Sequence, residues 1–326
     1  MNTPRPPDAA AAVGKLAGAL EQTLGSLRDG TDWAALPPAG PDAALSLLQE
    51  CLAVCARGQG RGVEPVRTLH HFACTGGTLI SKCVGAMPNV QLLSEVDPLT
   101  DGQYKPDQPR FAPTDMPTLL RQSTRGVNEA LITTLFRSEL EVVYGEAVRR
   151  GQRLVLRDHA HSHYCRGTQV AERLGLRDLV AAVWPVRSVL TVRHPLDSFA
   201  SLVGNGWVHF RPATIDEYCR RHLAFLQASP GVAVIRYEDF ATMPHDTMQR
   251  ICSELALPYF DQFPLVFSAF RLSGDSGRES GTIALRSRRP EAMKGLAQAL
   301  ASPAYMQLTD ALGYDPEGLL AHTPGS

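Results

Sequence analysis

Residues 71–84 read HFACTGGTLISKCV, and their reading decides the fold. An apolar run, Arg67-Thr-Leu-His-His-Phe72, precedes the core of this stretch and has the texture of a strand. Thr78 to Met87 follows with apolar residues at helical spacing. Between them sits Ala73-Cys74-Thr75-Gly76-Gly77-Thr78-Leu79. Glycines let a backbone turn sharply with its N–H groups facing inward. The N-terminus of the next helix then offers unpaired N–H groups and a favourable dipole to an anion. The stretch is either a plain tight turn or such a cradle. It is not a Walker A loop, because GxxxxGK[ST] is absent and Lys82 lies inside the helix.

The same alternation continues along the chain. Val90–Leu93, Arg153–Arg157, Ser188–Arg193 and Val232–Arg236 read as strands. Residues 126–150 read as a long amphipathic helix ending at Gly151. Further helices start at Leu196 and run from Pro244 to Ala256. Buried apolar strands separated by helices predict an α/β fold, a parallel β-sheet with helices on both faces. Ahead of it, residues 9–27 and 42–57 show helical periodicity around a break at Leu36-Pro-Pro-Ala-Gly-Pro41. The expected organisation is a helical appendage over residues 1–62, with mobile first residues, and an α/β domain over 63–326.

Bulk properties narrow the function. The chain has 326 residues and 44% hydrophobic residues, enough for a large core, which excludes global disorder. The net charge of −1 gives no basic field, so nucleic acid is not expected as a partner and any anion site must be local. Seven cysteines at irregular spacing argue against a disulfide framework or a zinc ribbon. Cys51 and Cys55, at i, i+4, read as small core residues. No run of about 18 apolar residues predicts a membrane span. The N-terminus, rich in proline and broken by Lys15, is a poor secretory signal, so a cytoplasmic protein is expected.

Ligands of parallel sheets bind beyond the carboxyl ends of the strands. Arg157-Asp158-His159-Ala160-His161-Ser162-His163 follows one strand. Its alternating histidines could be metal ligands, incidental surface residues, or contain one general base. Arg193-His-Pro-Leu-Asp197-Ser-Phe-Ala-Ser201 follows another. Pro195 suits a first helical turn. Arg193 and Ser201 could then meet at one phosphate, and the alternative is an Arg193–Asp197 salt bridge. After the last strand comes Arg236-Tyr237-Glu238-Asp239-Phe240, whose carboxylates could simply cap the next turn. A loop dense in Gly, Ser and Arg spans 273–281 around Arg278, followed by Arg286, Arg288 and Arg289. It either covers a polyanion or is a solvated strip.

Taken in order, these elements resemble the sulfotransferases that use 3′-phosphoadenosine 5′-phosphosulfate (PAPS), over about residues 65–290. Arg193 to Ser201 and VIRYEDF (residues 234–240) carry the resemblance most specifically, and SEVDP at 94–98 adds to it. The resemblance implies a P-loop NTPase-like α/β fold and a PAPS donor with no metal. It implies that Thr75, Gly76, Gly77, Thr78 and Leu79 hold the 5′-phosphosulfate through backbone N–H groups and the two threonine hydroxyls. It implies that Arg193 and Ser201 bind the 3′-phosphate under Arg278, and that His159 is the general base. His161 and His163 are the lesser candidates for that role. The sulfuryl acceptor would be a small molecule, glycan or lipid bearing a hydroxyl or amine. Its pocket is expected from the appendage, the Pro-rich segment near residues 100–125 and the loops around 204–214, where Trp207, His209 and Phe210 could line it, with core packing the expected role of the Phe. Cys74 departs from the resembled pattern, which has Lys or Arg there; His70, His71, Lys82 or a late-loop arginine would have to substitute. A nucleotide-binding protein without catalysis and a P-loop-type kinase are the alternatives.

Overall fold

Val66–His71 (β1) pairs in parallel with two neighbours, and this central strand organises the sheet. The computed structural model describes residues 63–100, 111–274, 282–285, 288 and 290–318. The other strands are β2 (Val90–Val96), β3 (Arg153–Asp158), β5 (Val186–Val192) and β7 (Ala233–Arg236). Their order is β2-β3-β1-β5-β7 and every pairing is parallel. Two residues each from β4 (Arg166–Gly167) and β6 (His209–Phe210) form a separate small ribbon. The described residues belong to one compact unit, Val63–Ser326. The expected appendage, with Cys51 and Cys55, lies outside the described residues.

Side chains alternate across the sheet, and both faces are covered. On one face Leu69, Val155, Val189 and Ile235 pack against α1 (Gly77–Gly85) and α9 (Pro244–Leu255). On the other, Val66, Leu154 and Leu156 meet α3 (Glu129–Arg149) and α5 (Leu176–Ala181). Further along that face Leu190 and Val192 meet α7 (Ile215–Gln227) and α13 (Pro303–Leu312). Among the described residues no helix is long and apolar enough to cross a membrane.

Three boundaries differ from the sequence expectation for physical reasons. β2 runs past Leu93 to Val96, because a register shift lets it regain pairing with Asp158. RYEDF closes β7 at Arg236 and starts a short helix, α8 (Tyr237–Thr242). The histidine run is not an extended strand end. Ala160–Tyr164 winds into α4, so His159, His161 and His163 do not share a face as period-two residues would.

The topology places a crevice. The chain leaves β1 toward the β2 edge and leaves β5 toward the β7 edge. A gap therefore opens between their carboxyl ends, the place where such sheets bind ligands. Polar side chains fix the strands there. Asp158 holds His70 Nδ1 at 2.8 Å, His70 Nε2 meets Thr68 Oγ1 at 2.9 Å, and Thr68 Oγ1 meets Ser188 Oγ at 2.7 Å. This chain crosses β3, β1 and β5 inside the sheet.

One buried group makes the fold acid-sensitive. His222 is fully buried and stacks on Phe72 at 4.4 Å, and neither ring nitrogen has a partner among the described residues. Burial pushes its pKa down to about 3. An unfolded chain takes up that proton near pH 6.5. Stability is therefore full above that pH and falls as the pH drops toward about 3, by about 1.4 kcal/mol per unit at most. His222→Phe is expected to flatten the pH dependence of the urea midpoint between about pH 6.5 and 4. Parallel curves for the two proteins would refute this.

Candidate active site

A cavity of about 910 Å³ occupies the crevice. Thr75 to Leu79 line one wall, Glu95, Arg157 and His159 another, and Arg193 and Tyr237 a third.

The first wall begins where β1 ends. Cys74 and Gly76 both take left-handed backbone angles, φ +63° and +86°, which turns the chain straight into α1. Gly76 is also packed: a Cβ there would lie 2.3 Å from the Tyr237 ring. At Gly77 a Cβ would lie 2.4 Å from the His71 ring. Both glycines are thus required by close neighbours. The N–H groups of Gly77, Thr78 and Leu79 form the first turn of α1, where no intrahelical acceptor exists.

The two threonines do different work. Thr75 is buried, and its hydroxyl donates to Phe72 O at 2.8 Å, closing the turn. Its proton is used inside the loop. Thr78 Oγ1 accepts from Arg157 Nη2 at 2.9 Å, which leaves the Thr78 proton to donate elsewhere.

Arg157 connects the first wall to the second. Its guanidinium also reaches His71 Nε2 at 3.1 Å, Ser94 Oγ at 3.0 Å and Glu95 Oε1 at 2.8 Å. Burial and the Arg157 charge hold His71 well below its ordinary pKa, so its Nε2 accepts a hydrogen bond from the guanidinium. Glu95 reaches both ways, with its other oxygen 3.2 Å from His159 Nε2. Its backbone is left-handed at φ +61°, an uncommon conformation for a glutamate. Ser273 and Gly274 close over it: Ser273 Oγ donates to Ser94 O at 2.8 Å, and a Cβ on Gly274 would lie 2.3 Å from the Glu95 carboxylate.

The three histidines separate clearly. His159 sits at the start of α4, is 37% exposed and lines the cavity. His161 lines it too, and burial lowers its pKa to about 4. His163 faces away and donates from Nε2 to Ala171 O at 2.8 Å. Among the described residues no group of three or more His, Cys, Asp or Glu converges as a metal site.

On the third wall, Arg193 Nη1 lies 3.5 Å from Ser201 Oγ on α6 (Pro195–Gly204), and its guanidinium sits 5.1 Å over the Tyr237 ring. The two residues meet as their spacing suggested. Ser201 stands buried behind Arg193 rather than on the cavity wall. The Arg193–Asp197 alternative fails. Asp197 is taken by Arg288 through paired bonds of 3.0 and 2.9 Å. Glu238 serves the fold: it accepts from His194 N at 3.0 Å and from the Tyr314 hydroxyl at 2.7 Å. Arg278, Arg286 and Arg289 lie outside the described residues. Thr282 and Ala284, just after Arg278's loop, line the cavity.

Of the expected acceptor wall, Trp207 and His209 line the cavity, whereas Phe210 is fully buried in the core beneath Arg221. From the Pro-rich segment, Asp115, Pro117, Thr118 and Arg121 reach the cavity on or beside α2 (Met116–Arg121), and residues 101–110 lie outside the described residues. Of the substitutes for the missing cation at Cys74, His70 is turned into the sheet and His71 is neutral, while Lys82 lines the cavity. Sequence reasoning missed Arg157 and Glu95 as site residues. The local signals were their places at strand carboxyl ends and, for Glu95, the SEVDP stretch, neither of which gave a role.

No protein-family sequence model matches the chain, and no curated protein matches it. Among solved structures the chain is similar to a sulfotransferase domain from the Synechococcus PCC 7002 olefin synthase, at 15% identity over 78% of this chain and 96% of that one, with a TM-score of 0.44. It is similar to sulfotransferase STF9 from Mycobacterium avium, at 14% identity over 83% and 82% of the two chains, with a TM-score of 0.44. It is similar also to mouse sulfotransferase SULT7A1 complexed with PAP, at 11% identity over 76% and 88%, with a TM-score of 0.39.

Proposed function

We propose that the cavity transfers a sulfuryl group from PAPS to a hydroxyl or amine acceptor. One observation carries the reading: two anion-binding elements of different make face a single cavity. The first is the Gly76-Gly77 turn with the free N–H groups of α1 and the Thr78 hydroxyl. The second is Arg193, backed by Ser201. A nucleotide with phosphates on both its 5′ and 3′ positions needs two such elements. Packing keeps the turn free of side chains, since a Cβ at Gly76 or Gly77 would strike a neighbouring ring.

In this reading the acceptor oxygen attacks sulfur as the bond to the 5′-phosphate oxygen breaks. Adenosine 3′,5′-bisphosphate leaves, and His159 takes the acceptor's proton. Fixed N–H groups and the Thr78 hydroxyl hold the sulfuryl oxygens in line. Arg157 is bonded to Thr78 in the cradle at 2.9 Å. With Lys82, which also lines the cavity, it is placed to offset charge where Cys74 leaves no cation of its own. Cys74 is also what favours the competing reading, a nucleotide-binding protein without chemistry.

Calorimetric titration with adenosine 3′,5′-bisphosphate, beside ADP and ATP with Mg²⁺, tests the donor. Metal-independent binding of the bisphosphate is expected. Arg193→Ala should weaken it by about 10- to 100-fold, as loss of a charge-assisted contact does. Preference for ATP with Mg²⁺, or no binding of the bisphosphate, would overturn the reading in favour of a kinase-like site or a plain turn.

A further inference from the structure

We infer that the acceptor side of the cavity recognises two adjacent ring hydroxyls, through His159 and the bare Nε2 of His161. The inference rests on the sulfotransferase reading for its name of acceptor, but its geometry stands by itself. His161 Nε2 is buried and has no hydrogen-bond partner among the described residues. The adjacent Trp207 backbone favours the charged ring, and burial outweighs it. His161 is kept neutral by burial and by the neighbouring His159 and His209, with a pKa near 4. A neutral imidazole nitrogen accepts a hydrogen bond, or donates one in the other tautomer, and a hydroxyl can serve either.

A buried polar nitrogen without a partner is costly unless something supplies one. The cavity is where that partner enters, since His161 lines it. The ring of His159 stands 6.1 Å away, centre to centre. Adjacent hydroxyls on one ring can serve both imidazoles together. A single hydroxyl serves one and leaves the other bare. Flat surfaces flank the pair: His209 stacks on His161 at 5.8 Å and 28°, and Trp207 lies 6.5 Å from it with 38% of its surface exposed. Such faces suit the flat side of a ring. The acceptor class is thus a vicinal ring diol, either a saturated polyol such as a sugar or an aromatic catechol.

Two matched probe pairs test this by ligand-observed NMR titration of the whole chain: cis-1,2-cyclohexanediol against cyclohexanol, and catechol against phenol. At least one diol is expected to bind about 10-fold tighter than its mono-hydroxyl partner, the worth of one satisfied buried polar nitrogen. The pair that shows the preference assigns the saturated or aromatic source. His161→Phe should erase the preference, while His161→Gln, which keeps an acceptor oxygen, should retain part of it. Equal binding within both pairs overturns the inference. So does a preference that survives His161→Phe, because an ordered water on Nε2 would then be its only role. Circular dichroism of the same samples checks that the variants are folded, and bisphosphate titration is run beside it. The titration separates the two ideas: bisphosphate binding without diol preference sinks only this inference, and diol preference without bisphosphate binding sinks only the donor reading.

Discussion

Gly76→Ala is expected to abolish bisphosphate binding and to lower folding stability by roughly 3 kcal/mol, since two penalties add at this position. The backbone is at φ +86°, where a Cβ is strained by about 1–2 kcal/mol. The Cβ would also lie 2.3 Å from the Tyr237 ring, an overpacking of about 1–3 kcal/mol. Tyr237 cannot yield freely, because it is buried and carries the Arg193 guanidinium 5.1 Å from its ring. Moving that ring moves Arg193, so the insult to the cradle is passed to the second anion element. Gly126 supplies the control: it too has a positive φ, +68°, but a Cβ there meets nothing within 4 Å. Gly126→Ala should therefore show the backbone penalty alone, with bisphosphate affinity intact. Urea melts and calorimetry on the two variants isolate the contact. Equal stability losses, with binding preserved in both, would mean that the Gly76 turn is not a cradle.

What could be read in the sequence is what neighbours in sequence decide. The β1 turn was legible because glycine signals a backbone angle by its own chemistry. The Arg193–Ser201 meeting was legible because Pro195 fixes a helix start and eight residues of helix return a side chain to the same face. The strands of the sheet were legible as apolar runs, although β2 ran on to Val96 past a register shift that no local signal marks. What stayed hidden depends on partners far away in the chain. Glu95 matters because Arg157, His159 and Gly274 surround it. Glu238 looked like a turn carboxylate, but it is held by His194 and by Tyr314, which the C-terminal helix delivers. Asp197 was free for Arg193 on local grounds, yet Arg288 reaches it first with two bonds. The alternating histidines misled for another reason. Period-two spacing means one face only if the segment is extended, and Ala160–Tyr164 is helical.

His159→Ala is expected to lower turnover by about a thousandfold, within the range for loss of a general base, and to leave bisphosphate affinity unchanged. The side chain is 37% exposed on the cavity wall, so its removal leaves no large internal void. Its Nε2 is 3.2 Å from Glu95, and the same carboxylate bonds Arg157, which bonds Thr78 in the cradle. Arg157 keeps its own bonds to Glu95 and to Thr78 when the imidazole is removed, so the turn at Gly76 and Gly77 is left in place. His163→Ala should behave oppositely: its ring is fixed to Ala171 O away from the cavity, so any effect will fall on stability rather than turnover. Single-turnover assays with PAPS and calorimetry on each variant decide the case. Turnover preserved in His159→Ala but lost in His161→Phe would move the base to the second imidazole on the cavity wall. Bisphosphate binding with no turnover in the unmodified protein, across hydroxyl and amine acceptors, would instead mean that Cys74 marks a cradle kept for binding alone.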